Sequence, residues 1–265
     1  MYETTYSRAA SAADAAQKMT QAEDGKYLAG GQTLLPTMKA RLAAPSDLID
    51  VTHIGAMQGI TLSGDSVTIG AATKHAEVAA SADLAGAIPA LAGLAAHIGD
   101  PAVRNRGTIG GSVANNDPAA DYPAACLGLG ATIVTNSREI AADDFFTDMF
   151  ETALAEDEII TAIRFPIPQK AGYEKFPNPA SRYAMAGVFA AETAGGARVA
   201  VTGAGASGVF RHAAAEAALS GGFTADALAG MSTDADNMLT DIHASAAYRA
   251  NLVNVMAKRA VAKAG

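Results

Sequence analysis

RNRGTIGGSVANNDPAADYPAACLGLG, residues 104–130, begins with three glycines (Gly107, Gly110 and Gly111) set around the hydroxyls of Thr108 and Ser112, and then turns almost wholly apolar. The stretch reads as a loop running into a helix, and Pro118 suits a first helical turn, where a missing N–H would have had no partner. A helix start preceded by glycines favours an anion through its free N–H groups and its dipole. Of the two carboxylates that follow, Asp117 is expected to cap the helix ahead of Pro118. Asp121, a turn further on, would repel a phosphate but suits hydrogen bonds from sugar hydroxyls.

About 80 residues upstream, AGGQTLLPTMK, residues 29–39, repeats the theme. Two adjacent glycines directly after a strand let successive N–H groups point into one concavity, although the segment taken alone is equally a tight turn. Two such loops suit the two phosphates of a dinucleotide. A third glycine cluster is a decoy: Gly203, Gly205 and Gly208 spell GxGxxG between ARVAVT and HAAAEAAL, with Asp226 near the expected distance. That fingerprint needs a second strand ending near the acidic residue, and the text from Phe223 to Ala264 contains none, so a strand-to-helix turn is expected there.

Outward from these loops, the first 55 residues read as helix (Ala9–Met19), strand (Lys26–Ala29), loop, helix and strand (Leu48–Val51), a small α/β lobe. QGITLSGDSVTIGAAT, residues 58–73, alternates about a Gly-Asp turn as a hairpin does. Helical text interrupted by Pro89 covers Ala79 to Ala96, and Glu158–Pro166 is the last strand before the proline-rich junction IPQKAGYEKFPNP. From about Gly172 a separate module is expected, with strands near Ala184–Glu192 and Ala197–Thr202 and then mostly helix. In its last helix Tyr248, Leu252, Val255, Met256 and Ala260 fall on one stripe, read as core.

Composition narrows the function classes. A net charge of −8 with no basic cluster beyond Arg104 and Arg106 argues against nucleic acid. No basic start precedes an apolar core and no run of about 18 apolar residues occurs, so no membrane span and a cytoplasmic location are expected. The single Cys126 cannot supply the roughly four thiolates of an iron–sulfur cluster, and the five histidines are scattered. No nucleophile–base set is visible, which leaves the chemistry to a cofactor.

With these motifs in view, AGGQTLLPTMK and RNRGTIGGSVANNDPAADYPA together strongly resemble the FAD-binding medium subunits of molybdenum hydroxylases, the group that includes carbon monoxide and xanthine dehydrogenases. IGAATKHAEVAAS, EDEIITAIRFP, YEKFPNPASRYAMAGV and YRANLVNVMAKRA extend the resemblance over nearly the whole chain. The resemblance implies an α+β fold: a two-lobed FAD-binding domain of the vanillyl-alcohol-oxidase or p-cresol-methylhydroxylase type over 1–168 (lobes about 1–55 and 56–168), then a mixed sheet-and-helix domain over 172–265. It implies that Ala29, Gly30, Gly31, Gln32 and Thr33, with Thr108, Ile109, Gly110, Gly111 and Ser112, embrace the pyrophosphate of a non-covalent FAD, and that Asp121 contacts the cofactor. Ile160 would back the flavin, Lys175 would lie near the ring and Tyr183 would cover one face, although Ser181-Arg182-Tyr183 departs from the acidic residue usual in that stretch.

The resemblance also implies partners. A small subunit with two 2Fe-2S clusters would feed electrons to the FAD, and a large subunit with the molybdenum cofactor would oxidise the substrate, in a dimer of heterotrimers. NAD, oxygen or a quinone-linked acceptor would take the electrons away. Two rival readings remain: a stand-alone flavin oxidase or reductase of the same fold, and a non-catalytic assembly protein whose glycine loops are plain turns.

Overall fold

The computed structural model describes residues 1–264. The first lobe runs β1 (Thr5–Arg8), α1 (Ala12–Gln21), β2 (Gly25–Leu28), α2 (Leu34–Lys39) and β3 (Asp47–Asp50). Its three strands are parallel in the order β1-β3-β2. Parallel neighbours need crossovers, which α1 and α2 supply, and the β2–α2 crossover begins with the first glycine segment at a strand's C-terminal end. Ser11 caps α1 by accepting the Asp14 N–H. The sequence reading lacked β1; four residues that pair on one side only, at a sheet edge, carry little periodic signal.

The second lobe continues through β4 (Ile60–Ser63), β5 (Ser66–Gly70), α3 (His75–Ala80), α4 (Ala82–Ala87), α5 (Pro89–Ala96), α6 (Pro101–Arg104), α7 (Ile109–Asn115) and α8 (Tyr122–Leu129). It ends with β6 (Thr132–Thr135), β7 (Glu139–Ala141), α9 (Ala142–Phe145), β8 (Phe146–Asp148), β9 (Glu151–Thr152) and β10 (Ile160–Pro166). Five strands form an antiparallel sheet in the order β4-β5-β10-β6-β7. The expected hairpin forms, with Ser63 opposite Ser66 across Gly64 and Asp65. Pro89 starts α5 rather than kinking a longer helix.

The remainder is β11 (Lys170–Pro177), β12 (Ala184–Thr193), β13 (Gly196–Thr202), β14 (Phe210–Arg211), α10 (Ala213–Leu219) and α11 (Ala246–Lys263), with an antiparallel sheet β11-β12-β13-β14. The proline-rich junction is therefore mostly strand. Its prolines stand outside β11 or at its last position, where no ladder N–H is lost. The first eight residues of β12 are all buried because both faces are covered. Phe189 and Ala191 join the core of the second lobe under α8, whereas Ala186, Val188 and Ala190 pack with Leu252, Met256 and Ala260 of α11.

The buried stripe of the last helix departs from the sequence reading. In α11 the buried stripe includes Arg249 and Val253, while Tyr248 is exposed and Val255 is only partly buried. Arg249 escaped notice because it is charged; inside, it donates to the Met185 and Gly203 carbonyls and to Asp241. The third glycine cluster follows β13 and leads into the short β14 before α10, and Asp226 lies in a 3-10 turn, so no dinucleotide fingerprint forms. No described helix is long and apolar enough to cross a membrane.

Candidate cofactor site

A cavity of ≈ 460 Å³ lies where the two lobes and the β11–β12 turn meet, within the range of about 300–1,000 Å³ usual for cofactor sites. Both glycine segments line it, apart from the fully buried Ile109, together with Asp121, Ile160 and Tyr183.

The first segment forms the wall nearest the three-stranded lobe. Gly31 has φ +70°, a left-handed turn that directs the chain from β2 into α2. Gly30 abuts the segment before α7: a Cβ there would overlap the Arg106 carbonyl oxygen and stand 2.5 Å from Gly107 Cα. The carbonyls of Gly30, Gly31 and Thr33 accept hydrogen bonds from Gln32 Nε2, the Leu35 N–H and the Thr37 N–H. The N–H groups of Gly30, Gly31, Gln32 and Thr33 find no acceptor among the described residues. Several unclaimed donors on one cavity wall are the chemistry an anion requires.

The second segment differs from its sequence reading. Thr108 is the N-cap of α7, its Oγ1 accepting the Gly111 N–H at 3.2 Å, so Ile109, Gly110 and Gly111 are already helical. The Ile109 N–H donates to Thr73 O, that of Gly110 to Ala71 O and that of Ser112 to Thr108 O. These donors are spent on the protein. Gly110 instead permits contact with Ala71, and Gly111 faces Ala29 across from the first segment. The segment offers the cavity a small-residue surface and the Ser112 hydroxyl, which has no hydrogen-bond partner among the described residues.

Asp117 does not cap a helix. Its Oδ1 accepts the Ala119 N–H at 2.8 Å in a short turn, and α8 begins only at Tyr122, with Pro123 in its first turn. The reason is tertiary: the Pro118 carbonyl accepts from the Gly203 N–H and Thr202 Oγ1 at the end of β13, which holds the chain away from the helical path. Asp121 occupies the N-cap position of α8 without capping it. Its carboxylate is buried, accepts from the Tyr173 hydroxyl, and is paired with Lys175 Nζ at 2.9 Å. Burial pushes the Asp121 carboxyl up, and Lys175 and Tyr173 pull it back down.

Lys175 also donates to the His97 carbonyl at 2.9 Å and lies behind Asp121, outside the cavity lining. Ile160 opens β10, fully within the apolar floor formed with Val51, Met57 and Ala71. Tyr183 is 48% exposed at the cavity edge, following Arg182, whose φ is +63° and whose guanidinium donates to Gly99 O at 3.3 Å. Burial and the nearby Asp117 and Asp121 push its phenol up, so it presents a neutral aromatic ring.

Two lining residues, His75 and Glu158, were absent from the sequence-derived site, although both lie in quoted blocks. Glu158 accepts Arg138 Nε and Nη2, each at 2.9 Å, together with Thr135, Ser137 and the Ala155 N–H. The Arg138 hydrogen bonds, against the cost of burial, bring its carboxyl from 4.5 down to about 2. A depressed acid stabilises the fold fully above its unfolded value and loses that contribution as pH falls, here from about 4.5 towards 2, worth at most about 3 kcal/mol. Glu158→Gln is expected to unfold at lower denaturant than the parent at pH 7 and to lose less between pH 5 and pH 3. Equal losses in denaturant titrations at the two pH values would count against this assignment.

Comparison with known proteins follows the same lines as the geometry. Residues 2–168 match the family described as FAD binding domain in molybdopterin dehydrogenase. The nicotine 6-hydroxylase medium subunit of Paenarthrobacter nicotinovorans is 34% identical, over 98% of this chain and 96% of that one. The carbon monoxide dehydrogenase medium chain of Hydrogenophaga pseudoflava is 34% identical, over 90% and 88%. Among solved structures, a chain of reconstituted CO dehydrogenase from Oligotropha carboxidovorans superposes with TM-score 0.91 at 34% identity, covering 98% of this chain and 97% of that one.

Proposed function

This chain belongs to the FAD-binding domain family of molybdopterin dehydrogenases, and from that membership we propose that it is the electron-transferring FAD subunit of a molybdenum hydroxylase. It is an oxidoreductase subunit of α+β fold. In the proposed assembly a small subunit carries 2Fe-2S clusters and delivers electrons, a large subunit carries the molybdenum cofactor, and an external acceptor such as NAD, oxygen or a quinone takes electrons away. The fully buried Cys126, this chain's sole cysteine, fits a subunit without clusters of its own. The proposed domain division is 1–168 and 172–265.

The observation that carries the reading is the row of unclaimed N–H groups from Gly30 to Thr33 on the wall of a cavity of cofactor size. In the proposal these donors hold the diphosphate, with the Ser112 hydroxyl opposite. When bound, FAD supplies the redox chemistry, taking electrons singly and giving them up in pairs. Asp121, fixed by Lys175 and Tyr173, offers a carboxylate edge to the polar part of the cofactor, Ile160 belongs to the apolar floor, and Tyr183 shields the open side.

Co-expression with the two partner subunits, followed by an absorption spectrum and analysis of the flavin released on denaturation, tests this. One non-covalent FAD per copy of this chain is the expected result. A complex with no flavin band that also fails to take up added FAD would refute it. Turnover of a small organic substrate by the isolated chain would favour a stand-alone oxidase instead.

A further inference from the structure

His75 opens α3 and is held there twice: its N–H donates to Gly107 O at 3.0 Å, and its ring lies against Tyr122 with centroids 5.3 Å apart. The residue is 5% exposed, yet it lines the cavity. Its two nitrogens have different surroundings. Nδ1 is sealed without any hydrogen-bond partner. Nε2 also takes no partner in the chain, is not sealed, and sits where a side chain on residue 107 would be: a Cβ on Gly107 would lie 2.5 Å from it. Gly107 in turn packs on Gly30, so the imidazole edge lies beside the junction of the two glycine segments, on the cavity lining.

Resting on the FAD reading above, we propose that His75 is a cofactor-binding residue whose Nε2–H donates to an oxygen of the diphosphate stretch of the bound dinucleotide. A neutral imidazole carries one proton, and an N–H sealed at Nδ1 without an acceptor would forfeit a hydrogen bond. Placed on Nε2, the proton meets an acceptor as soon as the ligand enters. Burial, with the Arg104 guanidinium adding to it, holds the ring's pKa down at about 4, so the ring stays neutral at physiological pH. A neutral donor at this point complements the backbone N–H row of Gly30–Thr33, which is likewise neutral. Gly107 is required because any side chain there would displace the imidazole.

The test uses the purified three-subunit complex freed of flavin, titrated with FAD, ADP and riboflavin and followed by flavin fluorescence or, for ADP, by competition. His75→Leu is expected to weaken FAD and ADP alike by roughly tenfold or more, the size of a hydrogen bond to a charged group, and to leave riboflavin binding unchanged. His75→Gln, whose amide nitrogen reaches the place of Nε2, should recover most of the affinity; His75→Asn, which imitates Nδ1, should not. These two variants keep the test open if the leucine variant does not fold. Equal FAD affinity in parent and His75→Leu, or equal affinity in the Gln and Asn variants, overturns the inference while leaving the FAD reading intact. A parent complex that binds no FAD overturns both.

Discussion

Gly30→Val is expected to abolish flavin binding, with affinity reduced below what a fluorescence titration detects. The added Cβ would collide with the Arg106 carbonyl and with Gly107 Cα, and neither is the movable end of a side chain. The two glycine segments must separate, which disperses the N–H row of Gly30–Thr33 and opens the wall in which Gly107 and His75 sit. Overpacking of this kind costs about 1–3 kcal/mol of stability, so the thermal transition should fall modestly while binding is lost outright. Gly93→Ala is the control: it lies in α5 with no atom within 4 Å of the added methyl, and alanine there should stabilise the helix by about 0.5–1 kcal/mol with binding unchanged. Parent-like FAD affinity in Gly30→Val would show that the close approach of the segments is not part of the site.

The second large effect concerns Asp121 and Lys175, whose side chains are 5% and 6% exposed. Lys175→Met leaves the carboxylate buried with only the Tyr173 hydroxyl for a partner, and breaking a buried pair from one side costs about 3–5 kcal/mol. Burial already raises the Asp121 carboxyl, and losing Lys175 raises it further. A group whose folded pKa lies above its unfolded value destabilises once pH exceeds the unfolded value. The variant's deficit should therefore be largest at neutral pH and shrink as pH falls towards the ordinary carboxylate range. Adding Asp121→Asn should return much of the lost stability, because two neutral groups no longer leave a charge stranded. Denaturant unfolding of the single and double variants measures this. A double variant no more stable than Lys175→Met would mean that the pair does not act as a unit.

Much of the architecture was legible along the chain because its signals are local. The Gly64-Asp65 hairpin, the glycines after β2 and the lack of a strand between Phe223 and Ala264 each depend on a few adjacent residues, and each stands in the structure as read, whereas Pro89, read as an interruption of helical text, starts α5. β11 was hidden because the prolines around it mark a loop by composition. Its identity as a strand comes from antiparallel pairing with β12 along its whole length across the connection 178–183. Arg249 was hidden for a related reason: a charged residue belongs in a buried stripe only when carbonyls from other elements, here those of Met185 and Gly203, are brought to it.

Residue type and spacing made the two glycine segments legible as ligand loops and Asp121 as a sugar contact, whereas Ile160 and Tyr183 followed from the family resemblance; all of these except Ile109 border one cavity. What each contributes depends on contacts between distant segments. Chemically similar glycine segments divide the work, because Ala71 and Thr73 consume the N–H groups of Ile109 and Gly110, while those of Gly30 to Thr33 stay free. Asp117 became a turn residue because β13 holds the Pro118 carbonyl, and Lys175 became the partner of Asp121 because β11 carries it behind that carboxylate. The physical reason is common to all three: a residue's type limits which hydrogen bonds it can make, and the contacts between distant segments determine which of them remain available to a ligand.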